Sequence, residues 1–401
     1  MQETITAGAA PAVMLSAPPS PDRVVTPVVW DTPDLRLARW GVRLSHQEGE
    51  GWTVELPAEG EGPADRLRRV EGDGDAVPDV ARDLVAAYAR TAELLPRLER
   101  GEAPPPEVEV EEVGRRSTAA AVVRRSIATA TLRLVGHDAG VRLGGDPEAV
   151  HQARVAVRRL RSDLRTFAPL LIAGWSDPLG EELRWIGGEL GRVRDAEVLA
   201  EEMERVVAAL PEADLERGAE LAAGFRAEIL RAREQLVEAM RSPRYLELLE
   251  RLVEASYSPM LLPEADQPAG GVLPGLVRRP WRKLRRDARR LRRDGATDVE
   301  LHRLRIRAKR ARYAAEAGAP VLGKRASAFA KAVAGVQEVL GTHHDAVVAA
   351  ERLRVQATGG GEAAFVAGQL WGVEQARAAS ARADWPAAWK RARRRRLRSW
   401  M

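Results

Sequence analysis

The sequence predicts a mainly all-α protein: two pseudo-symmetric helical bundles from an internal repeat, preceded by a small α+β N-terminal domain. Three observations lead to this fold class. Apolar residues recur at helical spacing through most of residues 115–400. A basic segment with one histidine occurs twice, about 150 residues apart. Residues 24–57 instead alternate between apolar and polar side chains, as in strands. A chain of 401 residues is long enough for two or three domains.

The N-terminal part shows strand character first and helical character afterwards. The β-branched run Val24–Trp30 and the alternating segments Gly41–Ser45 and Trp52–Leu56 predict strands. Residues 77–98 predict a helix. The predicted organisation is a flexible terminus at 1–20, a small domain at 21–112, and a helical domain at 113–401 with repeats at about 115–256 and 272–400.

The rest of the chain is predicted to be helical almost throughout. The predicted helices are 117–136, 147–171, 178–209, 213–241, 275–294, 298–318, 325–355, 362–383 and 386–398. A segment rich in proline and glycine, Tyr257–Gly275, separates the two repeats. We therefore expect two related bundles that pack as one unit.

The repeated segment carries a row of cations on one helical face. Both copies follow the pattern H-x-x-R-x-x-x-(R/K)-R-x-R, and positions i, i+3, i+7 and i+10 share a face. The first stripe comprises His151, Arg154, Arg158, Arg161 and Arg165. The second stripe comprises His302, Arg305, Lys309 and Arg312. Because like charges at this spacing repel, we predict that an anion lies across the two stripes.

Each stripe lies beside an apolar row shifted by one position. These rows are Ala153, Val157, Leu160 and Leu164 in the first copy, and Leu304, Ala308, Ala311 and Ala315 in the second. If the two helices pack through these rows, the stripes border one groove. The wider predicted anion surface adds Arg159, Arg310, Arg124, Arg125, Arg278, Arg279, Arg282, Arg286 and Arg289.

Charge is distributed unevenly along the chain. Residues 1–112 hold 22 acidic and 11 basic side chains, whereas residues 113–401 hold 36 acidic and 52 basic ones. This asymmetry predicts a polyanionic partner: nucleic acid, an anionic membrane surface or polyphosphate. Only five of the 63 basic residues are lysines, and arginine contacts phosphate oxygens in bidentate fashion. The ten tryptophans do not interleave with the arginines, which makes a nucleic-acid partner less favoured.

The chain has no cysteine, so disulfides and thiol chemistry are excluded. Its N-terminus lacks a basic leader, and no apolar run approaches about 18 residues. We expect a soluble cytoplasmic protein that does not insert into membranes.

Smaller repeated features give further candidates. Leu190-Gly191 precedes Asp195 as Leu340-Gly341 precedes Asp345. We predict structural roles for both aspartates, either capping a helical turn after the glycine or fixing a stripe arginine through a salt bridge. For the stripe histidines the residues leave two roles open: contact with the anion or its neighbouring arginine, and a structural role. No metal site is predicted, because His343-His344-Asp345 lacks the i, i+4 spacing of helical ligands.

These motifs resemble the CHAD family, the conserved-histidine α-helical domain. The resemblance covers about residues 115–400 and rests on the segments Asp146–Arg161 and Leu301–Tyr313. It implies two pseudo-symmetric bundles and a basic surface that binds inorganic polyphosphate. It also implies association with polyphosphate granules and their proteins. The family's histidine motifs fall on His151 and His302, and its cationic positions fall on the stripe arginines and lysine.

The segment Trp30–Gly41 resembles a CYTH domain, the triphosphate-tunnel fold often fused ahead of CHAD. That family opens with an E-x-E-x-K strand whose carboxylates hold a metal, and residues 1–15 offer only Glu3. A lysine common in a later strand is Glu55 here. We therefore expect a truncated domain without phosphatase activity, no cofactor and no catalytic residue. The alternatives are a nucleic-acid-binding protein and a metal-dependent triphosphatase.

Overall fold

The computed structural model describes residues 27–57, 67–72, 76–97, 104–358 and 361–401. The described chain is mainly helical, with one small antiparallel sheet near its N-terminal end, and this confirms the predicted fold class. The predicted flexible terminus at 1–20, the residues searched for an E-x-E-x-K strand and the start of the first predicted strand lie outside the described residues.

The N-terminal part is a five-stranded antiparallel sheet with two short helices. The strands are β1 (Val28–Asp31), β2 (Arg43–Gln47), β3 (Gly51–Glu55), β4 (Leu67–Val70) and β5 (Leu95–Arg97), in the order β4-β3-β2-β1-β5. The helices are α1 (Arg36–Arg39) and α2 (Asp79–Ala89). Buried Asp31 binds the start of α1, because its carboxylate accepts the N–H groups of Leu37 and Ala38 at 2.8 and 3.0 Å. The resemblance to a triphosphate tunnel stays a prediction.

The predicted helix at 77–98 is wrong beyond residue 89. The chain leaves α2 at Arg90, a non-glycine residue with φ of 55°, and then forms β5. The fully buried guanidinium of Arg90 pairs with Glu107 at 2.5 Å and with Glu250 at 2.7 Å. These long-range ion pairs account for the early helix end, since periodicity within residues 77–98 carries no information about them.

The remaining chain is a succession of long helices. They are α3 (Ala119–Gly136), α4 (Asp138–Leu143), α5 (Pro147–Phe167), α6 (Ala173–Val207), α7 (Leu215–Arg241), α8 (Pro243–Tyr257), α9 (Ala269–Asp294), α10 (Asp298–Leu322), α11 (Lys324–Ala357) and α12 (Gly361–Ala392). The sequence missed α4 and α8. It also predicted two helices where α12 is continuous through Pro386, because buried Trp385 and Trp389 pack that segment into the core.

A pseudo-two-fold relation between the repeats is visible in the backbone. The N–H of Ala119 donates to the carbonyl of Gln267 at 2.9 Å, and the N–H of Ala269 donates to that of Ser117 at 3.0 Å. These reciprocal bonds join the starts of α3 and α9. Helices α5 and α10 occupy equivalent positions and pack against each other.

The two largest buried clusters among the described residues underlie this arrangement. One cluster of buried side chains runs from the N-terminal sheet into α3, α5, α6 and α8, and a second lies among α9, α10, α11 and α12. The apolar rows beside both stripes are buried, as predicted. However, the first row lies in one core and the second row in the other, so α5 and α10 do not pack through these rows. Each apolar row packs into the core of its own bundle, because α5 contacts α3 and α6 whereas α10 contacts α9 and α11.

Candidate anion-binding site

The two stripes meet at Lys309. This lysine extends from α10, and its pKa falls to about 8 because burial disfavours the charged ammonium and because Arg305, Arg158 and Arg154 repel it. Two of these arginines belong to α5, so cations from both repeats share one space. Arg158 and Lys309 hold equivalent places in the repeated motif and therefore meet near the pseudo-two-fold axis.

We call this surface the groove. Its members are His151, Arg154, Arg158, His302, Arg305 and Lys309. All six are half-buried on α5 and α10. Partial burial strengthens their electrostatic interaction with an anion, because solvent screens it less than on an open surface.

Acidic residues on the next helices hold the outer arginines. Arg154 lies 2.9 Å from Asp195 on α6, and Arg305 lies 3.9 Å from Asp345 on α11. Of the two roles considered for these aspartates, the structure therefore contains the salt bridge. Both helices continue past Gly191 and Gly341, so neither aspartate caps a new turn. Because the Asp195 carboxylate is largely exposed and that of Asp345 is about half-exposed, solvent weakens these pairs and leaves the arginines able to engage another anion.

The groove histidines are surrounded by cations. Burial and the neighbouring Arg305 and Lys309 lower the pKa of His302. Burial is also the main reason for the lowered pKa of His151. Both rings are therefore neutral at pH 7, and each retains an N–H that can donate to an oxyanion. Direct contact with an anion stays a prediction.

A second histidine supports one end of the groove. Nδ1 of His302 lies 3.2 Å from Nδ1 of His344 on α11. Burial and repulsion from His302 lower the pKa of His344 to about 4. The equivalent residue of the first repeat is Arg194, whose charge acts on His151. Neither residue was predicted from the sequence to belong to the groove, although each directly precedes an aspartate of the repeated G-x-x-x-D pattern.

Two further predicted cations are neutralised within the protein. Glu316 on α10 accepts from Arg159 at 2.8 Å and from Arg312 at 2.6 Å. The ring of Tyr313 lies beside them, with its centroid 5.9 and 5.5 Å from their guanidinium carbons. The i, i+4 spacing of Arg312 and Glu316 is a sequence signal for this ion pair, which was not predicted above.

The other predicted anion-binding residues are spread over neighbouring surfaces. Arg124 and Arg125 bind the side chain and the backbone carbonyl of Glu111, at 3.1 and 2.7 Å. Arg161 lies against α6 at Gly187. The remaining residues lie on α9 or line a cavity beside it: Arg278 is half-buried, Arg282, Arg286 and Arg289 are exposed, and Arg165, Arg279 and Arg310 line the cavity.

The described residues offer neither a cluster of metal ligands nor a helix suited to cross a membrane. They contain no group of three or more histidine, aspartate and glutamate side chains placed to hold a metal ion. None of their helices combines the length and apolar composition needed to cross a membrane.

The chain is similar to one family model and to two proteins from Mycobacterium tuberculosis. Residues 125–354 match the family model of the CHAD domain. Two uncharacterized proteins from strains of Mycobacterium tuberculosis are each 32% identical over 267 residues, covering 62% of this chain and 48% of theirs. The chain therefore spans about half the length of these curated relatives.

Two solved structures share the fold. The CHAD domain from the plant Ricinus communis is 28% identical, with a TM-score of 0.57, and the match covers 73% of this chain and 97% of that one. PptA from Streptomyces chartreusis is 20% identical, with a TM-score of 0.58, and the match covers 68% of this chain and all of that one.

Proposed function

The chain belongs to the CHAD domain family, and on that premise we propose that it binds inorganic polyphosphate noncovalently along the groove. The family supports a polyphosphate-related role in general terms. One observation in this chain carries the finer proposal. Cations of both repeats converge on Lys309, and burial together with repulsion from these cations lowers its pKa to about 8. A polyanion laid across the groove would relieve that repulsion.

The proposed binding follows from the chemistry of each side chain. Arg154, Arg158 and Arg305 present guanidinium forks that match phosphate oxygens. Lys309 supplies a compact charge where the two stripes meet, and the neutral histidines at either end donate hydrogen bonds. A linear chain of phosphates satisfies these donors in succession, since they lie along two equivalent helices.

We further propose that the protein is not an enzyme and that its partners are polyphosphate and the proteins of polyphosphate granules. The groove offers no nucleophile placed beside a general base, and polyphosphate binding requires neither a cofactor nor a covalent step. Arg158, Lys309 and their neighbours bind the chain without cleaving it.

Charge reversal at the meeting point of the stripes tests the proposal. Arg158→Glu combined with Lys309→Glu should weaken polyphosphate binding by about tenfold or more, because each lost charge-assisted hydrogen bond contributes about 1.5–3 kcal/mol. The matched control is Arg231→Glu combined with Lys331→Glu, which makes the same change in net charge at exposed positions on α7 and α11. Isothermal titration calorimetry gives the affinities, and circular dichroism monitors folding.

Two outcomes would contradict the groove. Either the control pair weakens binding as much as the groove pair, or the groove pair leaves the affinity unchanged in a folded protein. Competition between polyphosphate and DNA or RNA at fixed salt tests the remaining alternative, that the partner is nucleic acid. Preferential retention of nucleic acid would identify that as the partner.

A further inference from the structure

Two pockets flank the pair α5 and α10 and correspond through the internal repeat. The α3 pocket lies where α3 meets this pair and is lined by residues including Arg125, Arg159 and Glu316. The α9 pocket lies where α9 meets the pair, and its equivalent residues are Arg279, Arg310 and Arg165. Arg125 and Arg159 of the α3 pocket correspond to Arg279 and Arg310 of the α9 pocket. Glu316 of the α3 pocket corresponds to Arg165.

That exchange leaves the α9 pocket without the carboxylate that lines the α3 pocket. In the α3 pocket, Glu316 accepts hydrogen bonds from Arg159 and Arg312 and offsets part of their positive charge. In the α9 pocket, Arg165 stands in the place of Glu316 and faces Arg310. Burial and repulsion from Arg165 and Arg307 lower the pKa of Arg310.

The α9 pocket has an excess of positive charge without an internal counterion. Its charged lining residues are Arg165, Arg279, Lys283, Arg307 and Arg310. Arg307 pairs with Asp287, whereas the other four have no ion-pair partner among the described residues. No aspartate or glutamate among the described residues lines this pocket.

We propose that the α9 pocket binds a compact anion with two or more phosphates, at a site distinct from the groove. The cavity of about 280 Å³ has apolar walls from Leu276, Pro169 and Pro280, which strengthen charge interactions inside it. A cavity of this volume favours a short anion over a long chain. Glu316 in the equivalent pocket shows where an anionic group lies, since its carboxylate accepts from Arg159, the counterpart of Arg310.

The site is separate from the proposed polyphosphate groove. None of the six groove residues lines the α9 pocket. The groove contacts α6 and α11 through Asp195 and Asp345, whereas the pocket opens beside α9. The inference therefore does not depend on long-chain binding in the groove.

Arg165→Glu is the most direct test, because it restores the charge that the equivalent pocket carries. Pyrophosphate is the probe, titrated calorimetrically into the full chain at constant ionic strength. The variant should bind pyrophosphate about tenfold or more weakly than the wild type. Its ligand-free form should unfold at a higher temperature, since a carboxylate there can pair with Arg310 as Glu316 pairs with Arg159. Arg231→Glu makes the same charge change on α7 and should bind pyrophosphate within about twofold of the wild type.

Two more variants complete the test. Lys283→Gln removes one pocket charge at an exposed position and should also weaken pyrophosphate binding, which keeps the test valid if Arg165→Glu fails to fold. Lys309→Ala should weaken long-chain binding several-fold and keep pyrophosphate binding. The proposal is overturned if Arg165→Glu and Lys283→Gln bind pyrophosphate like the wild type, or if Lys309→Ala loses pyrophosphate and long chains in parallel.

Discussion

Lys309 should make polyphosphate binding depend on pH in a range where the other groove residues do not titrate. In the free protein, burial and three arginines hold its pKa at about 8. A bound phosphate favours the charged ammonium and moves the pKa back towards its ordinary value of 10.5. Binding is therefore strongest when Lys309 is protonated, and this contribution is nearly complete well below about pH 8 and is lost progressively as the pH rises from about 8 to about 10.5.

The magnitude follows from the two pKa values. With a pKa of about 8 when free and about 10.5 when bound, raising the pH from about 7 to about 9 should weaken binding about tenfold, or about 1.4 kcal/mol. The arginines stay charged over this range, and the groove histidines, with lowered pKa values, stay neutral.

Lys309→Arg isolates the cause. Arginine does not titrate in this range, so the variant should bind with nearly constant affinity from about pH 7 to about pH 9. Lys331→Arg, an exposed change on α11, should keep the wild-type pH dependence. The affinities are measured by calorimetry in buffers of different protonation enthalpy, which also reports proton uptake. A flat wild-type profile, or an equal slope in Lys309→Arg, would refute the reasoning.

Four other predictions address salt, the acidic partners, the N-terminal part and its packing. The logarithm of polyphosphate affinity should fall linearly with the logarithm of salt concentration with a slope of about −4 or steeper, and a slope near −1 would mean that only one or two phosphates are held. Asp195→Asn with Asp345→Asn should tighten binding a few-fold in the same titration, since both carboxylates compete with phosphate for the outer arginines, and weaker binding would assign them an orienting role. The full chain should release no phosphate from tripolyphosphate with magnesium or manganese in a malachite-green assay, and chelator-sensitive turnover would overturn this expectation. Arg90→Ala should lower the free energy of unfolding by about 3 kcal/mol, measured by denaturant titration, because Glu107 loses its buried partner; a loss below about 1 kcal/mol would show that solvent compensates it.

Much of the helical part is predictable because its pattern is local. The first turn of α5 is capped by Asp146, and α10 begins with a capping box between Thr297 and Glu300. Apolar periodicity between such signals predicted both stripe helices, although α5 ends four residues earlier than expected. The errors at the end of α2 and within α12 have the same cause. The end of α2 and the continuity of α12 depend on Arg90 and on Trp389, whose partners are distant in sequence.

The candidate site, too, could be predicted from the sequence only in part. The residue types and their spacing predicted two cationic rows, and the repeat predicted that the rows are equivalent. The sequence did not show that their apolar neighbours belong to two separate cores. It also did not show that Glu316 pairs with two of the predicted cations, since the carboxylate bridges Arg312 of its own helix and Arg159 of another.

By itself, the sequence determined the fold class, the internal repeat and the cationic faces of α5 and α10, because helical periodicity and charge are properties of neighbouring residues. Only the tertiary structure decided which cations meet and which are neutralised. Charge interactions depend on distance and burial, and these are set by the packing of helices far apart in the chain. Lys309 and Arg310 are adjacent in sequence, yet one lies in the groove and the other in the α9 pocket.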